Sequence, residues 1–486
     1  MHLKSLLKRI LLFTLFAAST VHSASFSEAK AQSITVQAEK GTLLGKARVV
    51  QQGLYTYVDG LENDGDGVMV TMNVPESGFY DIVAKVKCGS YKENYVEVDG
   101  VRVGNIAGTM ILWGDIKLER IWFDAGEHTV SILKYWGWTQ IDQISLVPSK
   151  LIDEDLYEVS SKLVNPNATD NAKRLMSWLT DVYGKYIISG QYSDKGMYGD
   201  EMKAIYEATG EYPAILGLDL IDYSPSRVSH GTRGKSIDKA IEYWKEGGIV
   251  TFAWHWNAPE EYLTGIWYSA FYTDHTSIDL ARIMNGEDPS GYDLLIRDID
   301  AIASHLKELQ DAGVPVLWRP LHEASGGWFW WGAKGADAYI QLYRLLYDRL
   351  TNYHGLNNLI WVWNGQSKEW YPGDEYVDMI GWDIYAGEHA YSSQSAVFLE
   401  ATRVTDKRMM IILSENGTIP DIDLVFRDGT VWGSYATWSG DFVIDKSRKL
   451  SEKYTEKEML IKMLADKRTI NRDDIPDLLT YPIKEN

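Results

Sequence analysis

Two patterns of hydrophobic and polar positions divide the chain. From residue 33 to 148, short alternating runs are cut by turn residues: 34–38, 68–74, 78–86, 95–98, 121–123, 128–133 and 141–147. Gly60, Asp64-Gly65-Asp66-Gly67, Asp99-Gly100 and Ala125-Gly126 punctuate them. No stretch there holds a helical period for long, which predicts an all-β sandwich. Residues 149–168, with Asp153, Glu154 and Asp155 ahead of Asn165-Pro166-Asn167, follow neither pattern and read as a linker.

From 169 to 486 helix alternates with strand. An apolar period near 3.6 marks helices over 172–183, 203–209, 237–246, 294–311, 336–351, 395–406 and 455–467. Between them lie continuous apolar runs at 186–189, 214–218, 249–253, 314–318, 359–362, 379–382, 409–413 and 433–436. Runs of that length suit strands buried on both faces. Eight of them alternating with helices predict an α/β fold, a (β/α)8 TIM barrel.

Two of the runs end in carboxylates. After 314–318 the chain breaks at Arg319-Pro320, and pairing is expected to stop there because Pro320 has no N–H to give. His322 and Glu323 follow, then Gly326-Gly327 and Trp328-Phe329-Trp330-Trp331. The run 409–413 repeats the design and delivers Glu415. The separation, 415 − 323 = 92 residues, leaves room for two or three strand–helix units of about 35 residues each. Both acids are therefore expected at the barrel's C-terminal rim, where such folds keep their chemistry. Two carboxylates beside aromatic faces are the minimum apparatus for glycoside hydrolysis.

Composition changes the picture in three ways. Residues 1–24 read as a secretory signal peptide: Lys4, Lys8 and Arg9, an apolar stretch over 10–18, and Val21-His22-Ser23 before Ala24. The apolar stretch is too short for a membrane span, and the chain reads as secreted or periplasmic. The whole sequence has 48 basic and 68 acidic residues, and removing those three cations gives 45 − 68 = −23. That charge argues against nucleic acid or an anionic membrane as partner and suits a monomer acting on a neutral polymer. The single Cys88 cannot form an internal disulfide, while 19 Trp and 30 Tyr favour carbohydrate.

The stretch 316–331 together with Glu415 resembles glycoside hydrolase family 26, whose members are mostly β-mannanases on a (β/α)8 barrel. The residues that carry the resemblance are Arg319, His322, Glu323 and Trp328 on one strand and Glu415 on another. Trp254-His255, Trp382-Asp383-Ile384-Tyr385 and Trp438 match on three more, in the family's order. The resemblance implies that Glu323 is the general acid/base and Glu415 the nucleophile. It also implies retention of configuration, which needs carboxyls about 5–5.5 Å apart. Apolar surroundings are expected to raise the Glu323 pKa, and donors such as Arg319 or Tyr385 to keep Glu415 ionised. Arg319, His255, His322, Trp328, Asp383, Tyr385 and Trp438 form the expected substrate-binding set, with Trp267 and Tyr268 at outer subsites. Asp219 and Asp222 read as polar support.

In the β-rich part, Val36-Gln37-Ala38-Glu39, Val96-Glu97-Val98-Asp99-Gly100, the 125–129 turn and Ile141-Asp142-Gln143-Ile144 resemble a carbohydrate-binding module of family 35. In such modules the first and last strands run side by side. That would gather Gln37, Glu39 and Asp142 as oxygen ligands for a structural Ca²⁺. Trp136 and Trp138, with Asn94 and Tyr55 as neighbours, are the expected sugar platform of the module.

The expected function is a secreted retaining β-1,4-mannanase acting on β-mannan, glucomannan, galactomannan or mannooligosaccharides. A mixed-linkage β-glucanase and a β-1,3-xylanase are the alternatives on the same barrel. A non-catalytic polysaccharide-binding protein is the alternative outside the enzymes. No H-E-x-x-H pair points to metal chemistry, and no Walker-type Lys follows Gly104-Asn-Ile-Ala-Gly108, so no catalytic cofactor is expected. Deleting residues 24–150 is expected to leave activity on soluble oligosaccharides nearly intact.

Overall fold

The computed structural model describes residues 33–153 and 155–484. The signal-peptide reading of residues 1–24 lies outside them. The N-terminal part is built from β1 (Ile34–Gln37), β2 (Thr42–Leu44), β3 (Arg48–Gln52), β4 (Tyr55–Asp59) and β5 (Gly67–Val74). It continues with β6 (Gly78–Val98), β7 (Val101–Phe123), β8 (Gly126–Trp136) and β9 (Gln140–Pro148). All pair antiparallel in the order β2-β5-β8-β6-β9-β4-β3, with β1 on β9 and β7 on β6.

β6 organises this module. Its 21 residues serve two partners, because residues 80–87 pair with β9 and residues 93–98 with β8. Tyr80, Ile82, Ala84, Val86 and Cys88 point inward in strict alternation. Register shifts between Val86 and Lys92 let the strand change partner. The sequence suggested separate strands at 78–86 and 95–98, because the polar stretch between them conceals the continuity. β7 escaped notice for a similar reason. It carries Gly104, Gly108 and Gly114 and is largely unburied.

Beyond the module, β10 (Ile187–Ile188) precedes eight parallel strands that close into a barrel. They are β11 (Gly190–Tyr192), β12 (Ile215–Asp219), β13 (Ile249–Trp254) and β14 (Val316–Pro320). They continue as β15 (Leu359–Trp363), β16 (Met379–Ile384), β17 (Met410–Asn416) and β18 (Tyr435–Thr437). Afterwards β19 (Thr469–Ile470) pairs with β10 outside the barrel. The (β/α)8 expectation is met, with one correction. The apolar run 186–189 is not the first barrel strand; the less apolar Gly190-Gln191-Tyr192 is. Pairing of β13 with β14 ends at Trp254 opposite Pro320, as the missing N–H requires. Helix 336–351 is also divided, into an α-helix Ala336–Tyr347 and a π-helical turn Asp348–Tyr353.

The connection between the two parts is not a free tether. Tyr157 donates its hydroxyl to the Gly429 carbonyl at 2.7 Å and accepts from the Val431 N–H at 2.7 Å. The Val164 N–H is fixed by Asp378 at 2.7 Å, and Leu163 and Ala168 are buried with the first barrel helix. The module itself docks through Arg120 of β7. This residue holds a left-handed backbone (φ 60) and lies over the Phe79 ring, and its Nε donates to the Asp428 carbonyl at 2.9 Å. Ser395, at the start of the helix Ser395–Ala401, donates in return to the Arg120 carbonyl at 2.9 Å. Glu119 pairs with Arg403 beside it. An interface of this kind works against the simple separability expected above. Arg120→Ala is expected to cost about 2 kcal/mol of docking through the lost charged hydrogen bond to the Asp428 carbonyl. Calorimetry should then resolve a lower module transition from the barrel's; one unchanged transition would show that the contact is idle.

Candidate active site

The site begins with a register shift. Along β16 and β17, Trp382 lies opposite Leu413, but the next pair is Asp383 opposite Glu415. Ser414 is the extra residue, and such a bulge re-aims side chains at a barrel rim. It turns Glu415 toward the barrel mouth and leaves the Ser414 hydroxyl donating to Asp383 at 2.6 Å.

Arg319, fully buried at the end of β14, ties the two acids together. Its Nη1 donates to Asp383 Oδ2 at 2.9 Å, while Nη2 donates to Glu415 Oε1 and, at 3.1 Å, to the Tyr192 hydroxyl. Tyr192 reaches this position across β12, where a Cβ on Gly217 would lie 2.5 Å from its ring. Tyr385 donates to Glu415 Oε2 at 2.6 Å, so both oxygens of Glu415 are held. Asp383 also accepts from Asn364 at 2.8 Å. Burial, only partly offset by Arg319, pushes its carboxyl up to about 7.

Glu323 sits on a strained turn. Leu321 and Glu323 both adopt left-handed backbones (φ 53 and 52), a conformation costing about 1–3 kcal/mol at a non-glycine residue and concentrated at functional sites. The Glu323 N–H is fixed by the Asn364 carbonyl at 2.8 Å. Trp328 Nε1 donates to Glu323 Oε2 at 3.0 Å, and its ring lies over Gly326, where a Cβ would come within 2.1 Å of it. Burial first, then the charges of Asp383 and Glu415, push the Glu323 carboxyl up to about 9. One carboxylate oxygen from each of Glu323, Asp383 and Glu415 lies within 4.8 Å of the others. The arrangement supplies a neutral acid and a paired carboxylate on one small patch of the rim.

A raised pKa has a definite sign. The fold favours neutral Glu323, so its contribution to stability is complete below the unfolded value near 4.3 and is lost as pH rises toward about 9. Glu323→Gln is therefore expected to flatten the decline in stability across that window, checked by urea midpoints at pH 5 and pH 9. The acid form of Glu323 should also set the basic limb of kcat/KM, and that limb should vanish in Glu323→Ala.

The remaining expected residues divide by depth. Trp328, Tyr385, Trp438 and the edge of His255 reach the cleft, while Arg319, His322 and Asp383 lie beneath it, buried within the protein. The latter three support the surface rather than form it, because no hydroxyl can reach a fully buried side chain. Trp438 packs on Tyr192 and His255, with ring centroids 4.7 and 5.8 Å apart. His255 is held by Asp219 and meets His322 through their Nε2 atoms at 3.2 Å. Trp267 stacks on His230 at 4.2 Å beside the exposed Tyr268, in the loop after β13. Asp222 pairs with Arg227 at 2.9 Å. Sequence reasoning missed Tyr192, because the first strand was placed too early. It also missed Asn364, although a lone polar residue ending an apolar strand is the signal Glu323 and Glu415 share.

In the module, Trp136, Trp138 and Tyr55 are exposed, and Tyr55 stacks on Trp113 at 5.4 Å. Asn94 is different. At 1% exposure it accepts from Thr139 at 2.7 Å and donates to the Leu133 carbonyl at 3.3 Å, so it braces the loop instead of facing a ligand. β1 and β9 do run side by side. Of the expected calcium ligands, only Glu39 keeps a buried oxygen, Oε2, without a hydrogen-bond partner. Asp142 is paired with Lys85 at 2.8 Å and Gln37 donates to Gln143 at 3.3 Å. The Lys85 ammonium thus stands where the Asp142 carboxylate would meet a cation.

Fold and site together define a two-carboxylate glycoside hydrolase on a (β/α)8 barrel with a β-sandwich module. Residues 164–473 match the family model for glycosyl hydrolase family 26, and residues 33–149 match that for carbohydrate binding module family 35. The chain belongs to glycosyl hydrolase family 26. It is 40% identical over 440 residues to a mannan endo-1,4-beta-mannosidase of Thermothelomyces thermophilus, covering 88% of each chain. It is 34% identical over 460 residues to mannan endo-1,4-beta-mannosidase B of a Piromyces species, covering 92% of this chain and 78% of the relative. The crystal structure of a GH26–CBM35 β-(1,4)-mannanase of Podospora anserina superposes with a TM-score of 0.65 at 36% identity, covering 92% of this chain and 99% of that one.

Proposed function

We propose that this protein is an exported, retaining β-1,4-mannanase that cleaves β-mannan, glucomannan or galactomannan. The observation that carries the mechanism is the approach of Glu323 and Glu415 oxygens to within 4.8 Å. Inverting enzymes need about 6.5–9.5 Å to admit a water between the carboxyls. Glu415 attacks the anomeric carbon as the glycosidic C–O bond breaks, and Glu323 gives its proton to the departing oxygen. A water then attacks the same carbon, passes its proton to Glu323, and releases Glu415. Arg319 and Tyr385 donate to the two oxygens of Glu415 and orient it before attack.

The substrate class rests on the mannan-cleaving relatives and on the polar edge of the cleft. A mannosyl unit differs from a glucosyl unit by an axial 2-hydroxyl, and fixed polar groups reject the wrong epimer because they stay mispaired. His255, Tyr385 and the two acids are the polar side chains at that edge. Mannan and glucomannan should be cleaved at least about 100-fold faster than β-glucan, roughly 2.7 kcal/mol in transition-state binding. Comparing kcat/KM on matched manno- and glucooligosaccharides tests this. Equal values, or a preference for glucan, would remove mannan and leave the retaining hydrolase. Export rests on the signal-peptide reading of residues 1–24. The module's sugar platform is carried by the exposed Trp136, Trp138 and Tyr55. For a structural Ca²⁺, the orphaned Glu39 oxygen is in favour and the Lys85–Asp142 pair is against.

A further inference from the structure

Asp219 ends β12 and looks at first like generic polar support. Its two oxygens are used differently. Oδ1 accepts two backbone N–H groups, from Ile221 at 2.8 Å and His255 at 3.1 Å. Oδ2 receives the His255 ring at Nδ1. The other nitrogen of His255, Nε2, faces Nε2 of His322 at 3.2 Å with the rings nearly perpendicular at 79°. His322 directly precedes Glu323 and lies between the two left-handed residues of the catalytic turn. Its Nδ1 is buried without a hydrogen-bond partner.

We infer that Asp219 is a positioning residue that fixes the tautomers of both histidines, and through them the sugar-facing edge of His255 and the turn that carries Glu323. The carboxylate can only accept, so His255 carries a proton on Nδ1, and a neutral His255 ring then presents a lone pair at Nε2. His322 must then donate from Nε2, which leaves Nδ1 as a bare acceptor. An orphaned acceptor is tolerated better than a buried N–H donor without a partner. Burial, then Arg319 and His255, hold the His322 pKa well below its ordinary value, in keeping with a neutral ring. Burial opposes ionisation of Asp219, but His255 and the backbone donors keep its carboxyl below the ordinary value.

The isosteric variant Asp219→Asn tests this through a forced choice. Two backbone N–H groups point at the Oδ1 position, so the amide oxygen must sit there and the NH₂ must face His255 Nδ1. His255 then has to accept at Nδ1 and donate from Nε2, and His322 has to move its proton to the unpartnered Nδ1. We expect kcat to fall by about 100-fold, the scale of a sub-ångström to ångström misplacement at a reacting centre. KM should change far less, and thermal stability should fall, because the variant leaves a buried N–H of His322 without a partner.

The inference rests on the two-carboxylate reading of Glu323 and Glu415, and the readouts separate the two. In the unmodified protein, ¹⁵N spectra of the imidazoles should show Nδ1–H on His255 and Nε2–H on His322, and in Asp219→Asn both should exchange. The reverse tautomers in the unmodified protein would overturn the inference whether or not any variant folds. So would an Asp219→Asn protein with unchanged kcat. Covalent labelling of a residue other than Glu415 would instead overturn the two-carboxylate reading and say nothing for these tautomers.

Discussion

Glu415→Ala is expected to lower kcat on mannan by at least about 10⁵-fold, close to 7 kcal/mol of transition-state stabilisation. Nothing nearby can replace the lost nucleophile. Asp383 lies in the same patch, but its oxygens are occupied by Arg319, Asn364 and Ser414, and the side chain has no exposed surface. Added azide or formate should restore part of the rate on activated aryl mannosides by occupying the space the carboxylate leaves. The product of azide rescue should carry the opposite anomeric configuration, since only one displacement remains. A variant that kept even 1% of its activity on mannan would place the nucleophile elsewhere.

Arg319→Ala should be the most damaging change to the fold itself. The guanidinium is fully buried between Asp383 and Glu415 and has Tyr192 as a third partner. Removing one member of such a pair leaves buried charge uncompensated, typically at about 3–5 kcal/mol. Urea midpoints should show the loss, with activity absent as well. The double variant Arg319→Ala/Glu415→Ala should recover part of the stability, because one of the stranded carboxylates goes with the cation. If the double variant were less stable than the single one by the full cost of Glu415→Ala, the coupling would not exist.

The two acids could be read from sequence because each ends a buried apolar strand, and barrel topology sends every such end to one rim. The same logic found His255, Tyr385 and Trp438. It stopped at depth: a residue type and a strand end do not say whether a side chain faces the cleft or lies under it. Arg319, His322 and Asp383 proved to be a buried frame beneath the residues at the cleft surface. The bulge at Ser414 was invisible because it alters register by one residue without changing the apolar pattern. Asp219 was seen and under-read, since its importance comes from two backbone N–H groups that no side-chain pattern encodes. In the module, alternation gave the sandwich, and the resemblance to family 35 modules gave the β1–β9 neighbourhood. The docking residue Arg120, held by a backbone carbonyl 308 positions away, left no local trace.

The most direct measurement is covalent trapping. Incubation with a 2-deoxy-2-fluoro-mannosyl donor bearing a good leaving group, followed by digestion and mass spectrometry, should find one fluoromannosyl adduct, on Glu415. An adduct on Glu323 or Asp383, or no adduct together with an inverted product by NMR, would contradict the two-carboxylate retaining centre.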